Sequence, residues 1–135
     1  MRLWEEGSKY INTPYEWGGN DINRAVDCSG FVCAILRKFK IIGKKDFSAQ
    51  MLFNEIKNTM YTRPAEDDLI FFGKQYTEIT HIAIAINETL MIEAGGEGRI
   101  STDKGKVRIR RIDSRNDFLC SLKILYQSKQ PELNL

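Results

Sequence analysis

A single histidine, His81, and three cysteines, Cys28, Cys33 and Cys120, limit the nucleophilic chemistry this chain can carry. Cys28 has the most informative setting, in Asp27-Cys28-Ser29-Gly30 at the start of the strongest helix signal. A thiol there meets backbone N–H groups without helical acceptors and the positive end of the helix dipole. Both favour the thiolate, so a thiol of ordinary pKa about 8.5 can fall to between roughly 3.5 and 7.5. The same N–H groups can steady an oxyanion. Position alone leaves two readings of Cys28 open, a nucleophile or a small buried residue. Cys33 and Cys120 fall within a helix and a strand and read as packing. A lone histidine is more often structural than catalytic, but the pair says more than either member. A helix-start cysteine and a strand-start histidine, in a chain whose helices precede its sheet, suit the Cys–His layout of thiol hydrolases. Glu93 lies on the strand expected to pair with that of His81. It is the candidate for the second imidazole nitrogen, or else a solvated strand residue. The expected geometry is a Cys28 sulfur within about 4 Å of one ring nitrogen and Glu93 at the other.

The elements that must position these groups are legible in outline. Leu3, Trp4, Tyr10 and Ile11 give an amphipathic helix over 3–11, and Asn12 tolerates the left-handed conformation at its end. Residues 13–23 form a loop punctuated by Pro14, Gly18 and Gly19. Phe31, Val32, Ile35, Leu36 and Phe39 form one apolar stripe with Asp27 as N-cap, and this helix should stop near Gly43. Ser48 caps a further helix over 49–58 with Met51, Leu52 and Ile56 inward. Strands follow at 69–72, 81–86, 90–94, 107–112 and 118–126, the second and third joined as a hairpin by Asn87-Glu88-Thr89. Helices first and an antiparallel sheet second make an α+β domain. One domain over 1–126 and a C-terminal tail at 127–135 are expected at this length.

Composition narrows the function. With 42% hydrophobic and 28% charged residues the chain is a soluble globular domain rather than a disordered one. A net charge of +2 makes no case for nucleic acid or membrane binding. The apolar run Ile82–Ile86 is far short of the roughly 20 residues that span a bilayer. An odd cysteine count argues against a disulfide framework, and Cys28-x4-Cys33 with one histidine does not match a zinc site, so no metal and no cofactor are expected. The basic residues Lys104, Lys106, Arg108, Arg110 and Arg111 read as the solvated face of an edge strand, where positive charge discourages aggregation.

Six segments together carry a family resemblance: residues 12–19 (Asn-Thr-Pro-Tyr-Glu-Trp-Gly-Gly), 27–32 (Asp-Cys-Ser-Gly-Phe-Val), Ser48-Ala49-Gln50, 68–72 (Asp-Leu-Ile-Phe-Phe), 80–84 (Thr-His-Ile-Ala-Ile) and 91–94 (Met-Ile-Glu-Ala). In that order, over about residues 3–95, the chain resembles the NlpC-type cell-wall peptidases, papain-like cysteine peptidases of bacteria and phages. The resemblance implies N-terminal helices packed on an antiparallel sheet of about five or six strands. It implies Cys28 as nucleophile, His81 as general base and Glu93 as the group orienting the imidazole. Tyr15 would line the site near the oxyanion, and Asp27 and Ser29 would contact charged groups of the substrate. That substrate would be the peptidoglycan stem peptide, cut between D-γ-glutamate and the diamino acid. Departures from the family pattern are Asn12 for a common Gly, a loop from Tyr15 to Cys28 about one residue longer than usual, Glu66-Asp67 for Pro-Gly, and an acid at 93 where His is frequent.

Met1 to Gly7 lacks the basic segment and apolar stretch of a secretory signal. The expectation is a phage-associated monomer made in the cytoplasm, reaching the wall by release, by injection or as a virion component. The rival readings are a thiol amidase or acyltransferase on the same scaffold, and a non-enzymatic phage virion or assembly module.

Overall fold

The computed structural model describes residues 2–96 and 105–124. Lys104, the strand expected beyond Ile124 and the tail at 127–135 lie outside these residues.

Helix α1 (Leu3–Ser8) is shorter than the apolar stripe that marks it. The chain leaves it through turns that end on Asn12 at φ 79°, the left-handed conformation asparagine accepts. Asp67 also takes a positive φ of 68°, standing in conformation where a glycine would. Its Oδ1 accepts the Trp4 N–H at 3.1 Å and so ties the start of α1 to the turn before the sheet.

Helix α2 (Cys28–Lys38) buries Phe31, Val32, Ile35 and Leu36 against the sheet, as the stripe requires. Asp27 Oδ1 accepts the Gly30 N–H at 2.7 Å, a cap worth about 1 kcal/mol. The helix ends at Lys38, well before Gly43. Lys40 adopts φ 59°, and the N–H groups of Lys40 and Ile41 return to the carbonyls of Arg37 and Leu36. This closure satisfies the terminal carbonyls without a glycine. In α3 (Ala49–Ile56), capped by Ser48, Phe53 rather than Met51 points inward. Phe53 packs edge-on against Phe71 at 5.5 Å, and that contact sets the helix phase.

A short hairpin, β1 (Asn20–Asp21) and β2 (Ala25–Val26), precedes α2. The main sheet holds six antiparallel strands in the order β3-β8-β4-β5-β6-β7. They are β3 (Met60–Tyr61), β4 (Leu69–Gly73), β5 (Ile79–Ala85), β6 (Leu90–Gly95), β7 (Lys106–Arg111) and β8 (Phe118–Leu122). Period-two alternation divides the side chains. Leu69, Phe71, Ile82, Ile84, Ile92 and Ala94 pack with the helices in the main core. Ile70, Phe72, Ala83, Ala85 and Met91 form a second cluster on the other face, covered by Ile112 and Phe118.

Two irregularities shape the middle of the sheet. The β5–β6 ladder has only the pairs Ile84↔Ile92 and Ala85↔Met91, whereas β6 and β7 stay paired from Leu90↔Arg111 to Gly95↔Lys106. Beyond Ile84, β5 and β6 therefore part. On its other side β5 pairs Phe72↔His81 and then Gly73↔Ile79, leaving Thr80 as a bulge beside His81. Bulges re-aim neighbouring side chains, and His81 sits at this one.

The join between α2 and the preceding loop is a point of close approach. A Cβ on Gly30 would run into the Gly19 carbonyl oxygen and lie 2.9 Å from Asp27 Oδ1, whereas one on Gly43 would meet nothing. Gly30→Ala is expected to destabilise the protein by about 1–3 kcal/mol, and Gly43→Ala to change stability by no more than about 0.5 kcal/mol. Thermal unfolding of the two variants checks this; equal melting temperatures would contradict it.

Candidate active site

Cys28 is the first residue of α2, and its half-buried thiol lies against β5, where the strands part. The backbone N–H groups of Ile82 and Ser29 donate to its sulfur. Ile82 is the chain neighbour of His81, so the helix N-terminus and the strand bearing the histidine meet at the sulfur. The expectation of a depressed thiol pKa is corrected here. Burial pushes the Cys28 thiol up to about 11, and Asp27 adds to the rise. The two N–H donors and the Arg115 charge offset only part of it. The resting group is a thiol near neutral pH.

His81 lies inside β5 rather than at its first residue, and is 5% exposed. Its Nε2 is 2.7 Å from Glu93 Oε1. Glu93 is 1% exposed. Burial pushes its carboxyl up, but the hydrogen bonds and charges of His81 and Arg108 outweigh it and hold the pKa down at about 2, below the ordinary 4.5. An ionised carboxylate only accepts, so Nε2 carries the proton in this contact. Nδ1 is therefore the basic nitrogen whenever the ring is neutral. Packing fixes the ring plane as well: the Phe72 ring lies 5.4 Å from that of His81, with the Arg115 guanidinium 5.1 Å from Phe72 on a fork from Asp117.

Tyr15 belongs to a strap that pairs on both sides. Pro14 bridges Lys106 and Tyr15 bridges Val26, which places Tyr15 between β7 and the hairpin before α2. Burial first, then the charges of Cys28 and Asp27, push the Tyr15 hydroxyl up to about 12, so it stays a proton donor at neutral pH. Asp27 and Ser29 are engaged with each other and with the helix: Ser29 Oγ donates to Asp27 Oδ1 at 3.3 Å, the oxygen that also caps Gly30. Both residues line a cavity of about 240 Å³ with Gly19, Asn20, Asp46 and Ser48.

The structure thus gathers Cys28, Tyr15, Asp27 and Ser29 at the start of α2, and His81 with Glu93 on the neighbouring strands. Sequence reasoning missed Phe72 and Arg115 beside the histidine, and Arg108 and Arg110 beside the glutamate. The solvated-face reading of the basic strand is corrected at these two arginines. Arg108 Nε and Arg110 Nη1 lie 3.1 and 3.5 Å from Glu93 Oε2, while the apolar Ile109 between them is 44% exposed. Alternation still buries Val107 in the main core, and the buried charge of Glu93 draws Arg108 and Arg110 in on the other face. The signal was available, because Glu93 predicts that basic residues opposite it turn inward.

Helices ahead of an antiparallel sheet, with the thiol on a helix and its candidate base on a strand, is the division of parts found in papain-like hydrolases. Comparison with known proteins narrows the class: residues 12–114 match the NlpC/P60 family, and the chain belongs to that family of cysteine peptidases. It is 29% identical over 97 residues to the probable peptidoglycan endopeptidase LytE of Bacillus subtilis, covering 72% of this chain and 28% of that protein. It is 31% identical over 98 residues to the bifunctional muramidase/DL-endopeptidase CwlT of the same organism, covering 71% and 29%. The chain thus spans under a third of these relatives' length. Among solved structures, the NlpC/p60 domain of the peptidoglycan hydrolase SagA superposes with a TM-score of 0.72 at 23% identity, covering 90% of this chain and 96% of that domain. The peptidoglycan hydrolase RipB of Mycobacterium tuberculosis gives 0.72 at 19% identity, covering 93% and 64%. These superpositions establish the α+β fold with N-terminal helices on a six-stranded antiparallel sheet.

Two outcomes follow from burial and charge. Near neutral pH, iodoacetamide is expected to label Cys28 before the buried Cys33 and Cys120; equal labelling of all three in the folded protein would refute this. Glu93 titrates lower in the folded than in the unfolded chain, so its contribution to stability is complete above about pH 4.5 and lost as pH falls toward about 2. The melting-temperature advantage of wild type over Glu93→Gln should therefore shrink across that window. An advantage independent of pH would show that the carboxylate is not charged in this contact.

Proposed function

We propose that the protein is a cysteine endopeptidase that hydrolyses peptidoglycan stem peptides at the bond between D-γ-glutamate and the diamino acid. The observation that carries the mechanism is the 2.7 Å contact between His81 Nε2 and Glu93 Oε1, which leaves Nδ1 available as a base in a chain whose Cys28 opens α2. The substrate reading is supported by the endopeptidase names of LytE and CwlT, the latter a DL-endopeptidase. The phage origin rests on the resemblance alone. All the catalytic groups come from one chain, which supports action as a monomer.

In this mechanism the Cys28 S–H proton passes to His81 Nδ1 as the sulfur attacks the γ-carbonyl carbon. A thiol that burial pushes up to about 11 is ionised only when a base takes its proton. The carbonyl π electrons move to oxygen, and that oxyanion receives the Cys28 backbone N–H and the Tyr15 hydroxyl. The tetrahedral carbon then expels the diamino acid's nitrogen, which takes the proton from Nδ1 and leaves as an amine. A thioester on Cys28 remains. Water attacks it with His81 as base, releasing the D-γ-glutamyl carboxylate and restoring the thiol. Throughout, Glu93 accepts from Nε2–H and stabilises the transient imidazolium. Asp27, on the wall of the cavity at the start of α2, supplies negative charge for a cationic end of the stem peptide.

The test is digestion of purified peptidoglycan, with mass spectrometry of the new ends. New D-γ-glutamyl carboxyl ends are expected; ends at the muramic acid lactyl group would make the protein an amidase, and no digestion of several wall chemotypes would favour an assembly module. Cys28→Ala and His81→Ala should each lower kcat/KM by on the order of 10³-fold or more, and the double mutant should be little worse, because the pair acts as a unit. Glu93→Gln should cost about tenfold, or about 1.4 kcal/mol of transition-state stabilisation, and Glu93→Ala more. Circular dichroism checks that the variants fold, and wild-type turnover in Cys28→Ala would remove the mechanism.

A further inference from the structure

The carboxylate that orients His81 is itself oriented. Its two oxygens are divided, Oε1 to the imidazole and Oε2 to arginine. Arg108 stands directly opposite Glu93 in the β6–β7 ladder, with Nε 3.1 Å from Oε2 and its side chain 18% exposed. Arg110 lies two residues further along on the same face, with Nη1 3.5 Å from the same oxygen. The site is shaped for this contact. Gly95 is also on this face, and a Cβ there would lie 2.7 Å from Glu93 Oε2 and 2.9 Å from Arg108 Nη2. A side chain there would displace the tips of the ion pair. The strand bearing Arg108 is anchored near its start: Val107 N–H donates to Thr13 O, and Asn12 and Tyr15 N–H groups donate to Val107 O and Gly105 O. The strap that carries Tyr15 and the strand that carries Arg108 are thus one unit.

We propose that Arg108, seconded by Arg110, is a positioning residue that sets the tautomer of His81 through Glu93. The inference rests on the catalytic roles proposed for His81 and Glu93. Its chemistry is a matter of which atom holds a proton. A carboxyl group this deeply buried without a cation is driven to its neutral acid. As an acid it has an O–H to donate to Nε2, and a neutral imidazole that accepts at Nε2 carries its proton on Nδ1. That tautomer has no lone pair left for the Cys28 thiol. With Arg108 on Oε2, Glu93 remains an anion, Nε2–H is its donor, and Nδ1 is the base. An acid in the third position therefore works here only together with the cation on the next strand.

His81 is the only histidine, so its ring nitrogens are assigned in ¹⁵N NMR spectra without mutagenesis. At about pH 8, above the ordinary histidine range, wild type should show the Nε2–H form. Arg108→Met, which keeps an apolar stem and removes the guanidinium, should move the population toward Nδ1–H. It should also lower kcat about tenfold or more, with KM changed by less than about twofold. Arg108→Lys, which keeps the charge, should recover most of both. In a Glu93→Gln background, Arg108→Met should add less than about twofold, because the acid it controls is gone. Arg111→Gln, on an exposed arginine paired with Asp113, is the control and should leave spectrum and turnover unchanged. An unchanged tautomer in folded Arg108→Met, or losses that multiply in the double mutant, would overturn the proposal. Should Arg108→Met fail to fold, the comparison falls to Arg108→Lys, and a Lys variant with the Nδ1–H tautomer would also overturn it. The spectrum needs no substrate, so an inactive wild type on walls would count against the peptidoglycan reading and leave the tautomer result standing.

Discussion

The site depends on a sheet that comes apart in the right place. Strands β5 and β6 pair at two positions and then part, while their outer neighbours β4 and β7 stay paired. Parting leaves backbone groups without ladder partners, which is costly in a buried sheet. Here the N-terminus of α2 answers that cost, because the Ile82 N–H finds the Cys28 sulfur. The same opening lets a residue from the helix side reach the backbone next to a histidine that belongs to the opposite face.

Burial makes the site electrostatically demanding. A thiol and a carboxylate are both withdrawn from water, and withdrawal alone would protonate both. The two outcomes differ because the compensation differs. Around Cys28 the opposing groups are backbone N–H donors and a distant guanidinium, and the thiol stays high. Around Glu93 they are an imidazole and two guanidinium groups in direct contact, and the carboxyl falls to about 2. One group is kept as a proton donor and the other as a fixed acceptor, with the imidazole between them. In the proposed mechanism that ordering carries a proton from sulfur to Nδ1.

What the sequence disclosed divides along the range of the interactions. The α2 stripe, the Asp27 cap, the hairpin joining β5 to β6 and the positive φ at Asn12 rest on neighbours in the chain, and all were legible. Helix ends and phases were less so. The α2 stop at Lys38 uses a lysine in the left-handed region where a glycine is the usual signal, and the phase of α3 follows from Phe53 meeting Phe71 on a distant strand. In the site, the contact of His81 with Glu93 was readable because a hairpin joins their strands. The inward turn of Arg108 and Arg110 was misread because alternation assigns apolar residues to the core. Val107 keeps to that rule in the main core while Ile109 is exposed at the sheet edge, and Arg108 and Arg110 turn in on the other face because their buried partner is there. The high thiol pKa was missed for a related reason. A helix N-terminus is visible in sequence, whereas the depth of the thiol below the surface is a property of the whole fold.

Orientation of the base has a second source, which the hydrogen bond alone would not supply. A contact at Nε2 fixes one atom of the imidazole and leaves the ring free to swing about it. The Phe72 ring, tilted 51° against that of His81 at 5.4 Å, removes that freedom from the flank. Phe72 is held in turn by Phe118 on β8 and by Arg115, whose fork onto Asp117 keeps the guanidinium over the ring. These residues sit on or just ahead of β8, beyond the strands that bear His81 and Glu93. The connection that crosses from β7 to β8 therefore does more than cover the second apolar cluster. It also backs the Phe72 ring that packs on the imidazole, so that rotation of the ring costs both a hydrogen bond and an aromatic contact. Held at both places, the imidazole of His81 has its orientation set by the fold itself.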